Sequence, residues 1–144
     1  MLNTHYLHWF HLAWIACVCL GCDARKPWEI TVPAHGQITL NGKPISGAQV
    51  TLYPVGAEVP SSVRPSATSG SDGKYKLTTH AREDGAPVGQ YQVTVVWHPL
   101  VDSGTGPVRG DNKLPTRYSK PQTSTLVAAV ESPGGSLPPL SLKK

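Results

Sequence analysis

The chain predicts an all-β domain of about seven short strands arranged as a two-layer sandwich. Three observations carry that prediction. Apolar and polar residues alternate with period two in several short segments, most cleanly from Gln90 to Trp97. Turn signals recur between those segments, notably Asn41-Gly42, Ser71-Asp72-Gly73 and Pro133-Gly134-Gly135. The chain also holds 14 glycines and 14 prolines in 144 residues and has no long helical periodicity, a composition suited to turns rather than helices. After the N-terminal segment is set aside, about 120 residues remain, enough for one modest core.

The elements follow in order. Gln37 to Leu40 forms a strand with Ile38 and Leu40 on one face. Asn41-Gly42 turns the chain, since both residues tolerate positive φ. Lys43 to Ser46 is a short bridge, and Gly47 allows a bend. Gln49 to Pro54 is the next strand, with Val50 and Leu52 alternating against Gln49, Thr51 and Tyr53, and Pro54 ends its regular pairing. Val55 to Pro65 reads as a loop and Ala67 to Gly70 as a weak strand. Lys74 to Thr78 points Tyr75 and Leu77 inward, and Ala81 to Gly89 connects it to the long strand from Gln90 to Trp97. That strand carries Tyr91, Val93, Val95 and Trp97 on one apolar face, which reads Trp97 as buried. Thr125 to Val130 and Leu137 to Leu142 complete the set.

The first residues read as an export segment. The apolar run Leu12 to Leu20 is far short of the ~20 residues that span a bilayer as a helix. It matches the length of a signal-peptide core and ends in Leu20-Gly21-Cys22, which resembles a bacterial lipobox. The resemblance implies cleavage after Gly21, lipidation of Cys22, and residence at a membrane facing the periplasm or the cell surface. Two features depart from that pattern: Cys19 replaces the usual Leu, and no Lys or Arg precedes the run. Ordinary secretion and an uncleaved anchor are the alternatives. All three cysteines, Cys17, Cys19 and Cys22, lie here, so the exported domain has no disulfide to stabilise it. A soft-metal site on these thiolates has no further ligand nearby except histidines. The expected organisation is a signal segment over 1–21, a tether over 22–34 and the β domain over 35–144. Fully extended, Asp23 to Ala34 would reach on the order of 40 Å.

Four blocks in order resemble the carboxypeptidase regulatory-like domains of small bacterial lipoproteins. The first is Gly36-x-Ile38-x-x-Asn41-Gly42-Lys43-Pro44-Ile45-x-Gly47-Ala48-x-Val50-x-Leu52-x-Pro54. The second is Ser71-Asp72-Gly73-Lys74-Tyr75-x-Leu77, and the third Gly89-Gln90-Tyr91-x-Val93-x-Val95. The fourth runs from Leu114-Pro115-Thr116-Arg117-Tyr118 to Leu126. Pro138-Pro139 departs from the pattern and predicts a short or edge final strand. The resemblance implies a seven-stranded or similar Greek-key sandwich of transthyretin-like (prealbumin-like) type that binds or spaces rather than catalyses. In that setting Tyr75 and Tyr91 fill the space between sheets, while Tyr118 packs its ring and bonds a neighbouring backbone through its hydroxyl.

No catalytic residue, cofactor or metal is expected. The net charge is +4 with Lys and Arg scattered, so the basic stripe needed for nucleic acid is missing. His35, His80 and His98 lack metal-ligand spacing, and the carboxylates Asp72, Glu83, Asp102 and Asp111 lack the density of a calcium loop. No Gly-x-Ser-x-Gly elbow is present. The C-terminal Leu142-Lys143-Lys144 differs from the Tyr-Arg-Gly-Ser of transthyretin-like hydrolases. Tyr91, Tyr118, His80 and His98 do not match the iron ligands of intradiol dioxygenases. The residues from His98 to Lys113 form a long Gly- and Pro-containing connection, and connections of that length tend to be functional or disordered. His98, Arg109 and Asp111 are therefore the candidate binding residues. The expected function is a non-enzymatic, lipid-anchored interaction or cell-envelope module whose partners are the membrane, through Cys22, and an envelope protein or glycan. The alternative is a carbohydrate- or peptide-binding domain using loops 55–65 and 98–113, with Trp97 and Tyr53 as stacking surfaces. A small metal-dependent or hydrolytic enzyme is a third reading.

Overall fold

A computed structural model describes residues 25–144. The expected signal segment 1–21, with Cys17 and Cys19, and the lipidation site Cys22 lie outside the described residues. The fold is all-β, as predicted, with thirteen short strands among the described residues. They are β1 (Thr31–Val32), β2 (Ala34–Leu40), β3 (Lys43–Pro44), β4 (Ala48–Val55), β5 (Ser66–Thr68), β6 (Lys74–Lys76) and β7 (Ala86–Pro87). The remainder are β8 (Gly89–Trp97), β9 (Leu100–Asp102), β10 (Pro107–Arg109), β11 (Val127–Val130), β12 (Gly135–Ser136) and β13 (Leu140–Leu142).

Two sheets face each other. The first has the antiparallel order β11-β8-β4-β5. The second is built on β2, with β12 and β13 parallel along one side and β3 and β6 antiparallel along the other. Period-two alternation aims Ile38, Leu40, Tyr75, Leu140 and Leu142 from the second sheet at Val50, Leu52, Tyr91, Val93 and Val95 from the first. All ten belong to one buried cluster. Ile38, Leu52 and Val95 are fully buried, each worth about 1.5–3 kcal/mol of apolar burial.

Turn chemistry sets the register. Asn41 (φ 50°) and Gly42 (φ 80°) both occupy the left-handed region, and Leu40 pairs with Lys43. This is the two-residue, doubly positive-φ turn that the Asn-Gly pair predicts. The following bend is held by Ser69. Its hydroxyl donates to the Ile45 carbonyl (2.7 Å) and accepts from the Ala48 amide (3.0 Å).

Three expectations are corrected. The tether over 22–34 is not free along its length. Pro27–Glu29 forms a 3-10 turn, β1 pairs with β7, and Ala34 begins β2 three residues earlier than the alternation suggested. The two-residue strand β1 has no room for a periodic pattern, which is why it reads as linker. The long connection 98–113 is not a loop: β9 and β10 pair antiparallel as a hairpin, with Val101 opposite Val108. Trp97 is only partly buried, because as the last residue of β8 it packs on the rim of the core cluster. The final strand β13 is short and lies at a sheet edge, as Pro138-Pro139 predicted.

The open edge of β8 past its pairing with β11 is covered by irregular chain. The Asn112 side chain accepts from the Trp97 amide (3.0 Å) and the Leu114 amide (3.2 Å). Lys113 N–H donates to the Trp97 carbonyl and Val93 N–H to the Leu126 carbonyl, both at 2.9 Å. The Gln92 amide donates to Leu126 (3.0 Å) and the Ser124 hydroxyl to Val93. Backbone groups that would otherwise template another strand are thereby satisfied.

Candidate functional site at the Trp97 end

A groove of about 710 Å³ lies at one end of the sandwich. Four pieces of chain build it. Leu40 and Asn41 close β2, Lys43 to Gly47 form the bend, Trp97 to Leu100 pass from β8 into the hairpin, and Lys144 lies alongside. Its walls are mainly apolar, from Leu40, Pro44, Ile45, Trp97, Pro99 and Leu100. A volume of this size falls within the ~300–1,000 Å³ typical of small-molecule sites.

The lining is fixed by hydrogen bonds. The Trp97 indole N–H donates to the Ser46 carbonyl (2.9 Å), which holds the ring against the bend while leaving part of it in the groove. His98 Nδ1 lies 2.9 Å from the Gly110 carbonyl. A carbonyl only accepts, so Nδ1 carries the proton and Nε2 is the acceptor in the neutral ring. Gly110 N–H returns to the Pro99 carbonyl (2.9 Å), so the hairpin leaves and rejoins the domain at adjacent points. Both faces of that hairpin meet solvent, and Leu100 is 70% exposed.

The predicted binding residues are brought into one neighbourhood, though they contribute differently. His98 lines the groove and ties down the hairpin base. Arg109 pairs directly with Leu100, so both side chains leave the hairpin on the same face. Asp111 is exposed beyond the hairpin and does not line the groove. Lys43, Ile45 and Ser46 were missed as site residues. Their only sequence signal was an apolar Pro44-Ile45 pair inside a segment without alternation.

Loops 55–65 and 98–113 do not share a site. Ala48 pairs with Trp97 at one end of the first sheet, and Val55 pairs with Gln90 at the other, about 23 Å away at ~3.3 Å per residue. Nor do Trp97 and Tyr53 share a pocket. Tyr53 is out of phase with the inward-facing Val50 and Leu52, and its ring stacks on Arg64 at 4.3 Å. The N-terminal turn sits with the 55–65 loop, where Trp28, Glu58, Val59 and Val88 line a smaller cavity.

The remaining polar candidates have structural partners. Asp72 accepts from the Lys74 amide (3.0 Å), and that bond holds its carboxyl below the usual range. Glu83 pairs with Lys76 at 2.9 Å, which lowers its carboxyl likewise. His80 contacts the Trp28 carbonyl through Nε2 (3.3 Å). Among the described residues, no three His, Cys, Asp or Glu side chains gather as a metal site would require. Burial pushes the Tyr91 hydroxyl up to about 12, and it donates to the Pro87 carbonyl (2.8 Å). Tyr118 buries its ring, while its hydroxyl lies 3.2 Å from the Lys143 amide, the role expected of it. That amide and the neighbouring Arg117 lower the Tyr118 hydroxyl from its ordinary value.

Searched against protein-family profiles, curated proteins and solved structures, the chain matches none.

Proposed function

We propose that this protein is an exported, non-enzymatic binding module held at a membrane by a lipid on Cys22, with the Trp97 groove as its ligand site. The observation that carries this reading is the groove itself. It has a preformed apolar lining, an indole anchored by its N–H, and His98, Lys43 and Lys144 with no Asp or Glu among the lining residues. Acid–base or nucleophilic chemistry needs at least two convergent groups, and no two side chains of the lining are hydrogen-bonded to each other. The likeness to carboxypeptidase regulatory-like lipoproteins, with a Greek-key order of strands, forms part of the same proposal. So do its periplasmic or surface location and an envelope protein or glycan as partner.

Chain direction supports a particular presentation. The Pro27–Glu29 turn and β1 attach at the Gly89 end of β8, opposite the groove. A lipid on Cys22 leaves only residues 23–26 before that turn, a reach of about 13 Å at ~3.3 Å per residue. The anchored domain therefore stands with its groove turned away from the membrane that holds it.

Two measurements test the proposal. Metabolic labelling with a lipid precursor is expected to mark the wild-type chain and to vanish in Cys22→Ala; persistent labelling removes the anchor. Capture from envelope extracts is expected to lose its partner when residues 100–109 are excised and Pro99 is joined to Gly110. Undiminished capture by that variant and by Trp97→Ala removes the groove as the ligand site.

A further inference from the structure

The charged side chains that line the groove are all cationic. Lys43 and Lys144 line it, Arg109 projects from the same hairpin face as Leu100, and no Asp or Glu is among the lining residues. None of these three cations is in a salt bridge among the described residues, where the bridges are Lys74–Asp72 and Lys76–Glu83. Asp102 and Asp111, the two acids within residues 98–113, are not among the lining residues. Asp102 shares the Leu100 face two positions further along the hairpin, where its carboxylate accepts from the Gly104 amide (2.9 Å), while Asp111 lies beyond the hairpin. The floor beneath this positive rim is apolar, formed by Leu40, Ile45, Trp97 and Leu100.

We propose that the groove binds an anionic amphiphile. Its apolar body lies on Trp97 and Ile45, and its carboxylate or phosphate sits at Lys43 within the positive field to which Arg109 contributes. An apolar floor alone would accept any hydrophobic molecule. The unpaired cations select against a positive head group, because like charges repel most where low-dielectric walls focus the field. The hairpin supplies one wall through Leu100, which otherwise leaves a large apolar side chain in water. This inference rests on the groove being the ligand site and adds the chemical class of the ligand. The same head-group chemistry has two sources, a free alkyl carboxylate or phosphate and a lipid in a bilayer.

The test uses the full chain in nanodiscs of zwitterionic lipid and a dodecanoate carrying a photoactivatable group near its chain end. Labelled peptides are mapped by mass spectrometry. Crosslinks are expected within residues 40–47 or 97–100. Unlabelled dodecanoate and dodecyl phosphate should compete at least tenfold better than dodecyltrimethylammonium. Lys43→Glu and Leu100→Asp, both at exposed positions, should each cut labelling at least fivefold without moving the thermal midpoint. Competition by phosphatidylglycerol vesicles in preference to the free amphiphiles supports the proposal with a bilayer lipid as the source. Equal competition by the cationic amphiphile overturns the ligand class while leaving the groove as a binding site. Absence of groove crosslinks, with hairpin-dependent capture intact, overturns the amphiphile and leaves the binding module standing.

Discussion

Removing one buried oxygen, that of Ser69, is expected to destabilise the bend that forms the groove. Ser69 is 4% exposed, and its hydroxyl both donates to Ile45 and accepts from Ala48. Its own backbone pairs with the same bend, through Gly47 N–H to the Ser69 carbonyl and Ser69 N–H to the Ala48 carbonyl, each 2.9 Å. Ser69→Ala leaves the backbone bonds in place but strands one carbonyl and one amide where water has little access. Ala48 is fully buried and Ile45 is 6% exposed. Each stranded group costs about 1–3 kcal/mol, so the substitution should cost about 2–6 kcal/mol in total. Against a net stability on the order of 5–15 kcal/mol, this is a large fraction. At about 4 °C per kcal/mol for a domain of this size, Tm should fall by about 8–24 °C. Calorimetry or circular dichroism of the full chain measures it, with Ser46→Ala as the control. Ser46 is exposed and supplies the groove with its backbone carbonyl, so its side chain is dispensable within about 0.5 kcal/mol. If Ser69→Ala melts with Ser46→Ala, the stapling argument is refuted.

Two further outcomes follow from other parts of the fold. At Gly36, a Cβ would lie 2.5 Å from the Tyr75 hydroxyl oxygen and 2.7 Å from Cζ of a ring that is 3% exposed. Gly36→Ala should therefore cost about 1–3 kcal/mol by overpacking, and an unchanged urea midpoint would contradict the close approach. Asp84 is raised by burial but lowered more by the Thr79, Ala81 and His80 amides that its carboxylate accepts, leaving it below the usual range. A depressed folded value means stability that is present above the unfolded pKa and lost as pH falls through the folded one. Asp84→Asn should thus lower stability by about 1–2 kcal/mol at pH 7 and shrink its difference from wild type below pH 4. A pH-independent difference between the two proteins would refute that assignment.

How much was legible depended on whether a feature was local. Val50 and Leu52, and Tyr91, Val93 and Val95, announce their strands by alternation because each faces the core on one side only. Asn41-Gly42 announces its turn because few other pairs sustain two positive φ angles. Tyr118 was readable as a ring with a tethered hydroxyl, although its partner Lys143 was not. The β9–β10 hairpin left no such trace, since Leu100, Val101 and Val108 are exposed and no core enforces a period on them. The groove was also hidden. Ile45 and Trp97 are 52 residues apart, and the pairing of Ala48 with Trp97 brings the bend to the end of β8. The short strand β1 gave no pattern at all, so residues that clamp the N-terminal segment to the domain read as linker.

The parallel pairing of β13 with β2 has a consequence for how the domain comes into being. Ile38 and Leu140 are neighbours across about a hundred residues of chain, and β2 has β3 and β6 as partners only on its other side. Closing so long a loop is a late and slow event compared with forming a hairpin. Until it happens, β2 offers a free backbone edge, and the second sheet lacks Leu140 and Leu142 from its inner face. A chain whose second layer depends on its distal residues stays open during synthesis. Under the proposed export, that delay would leave the polypeptide without a fixed shape while it is threaded across a membrane.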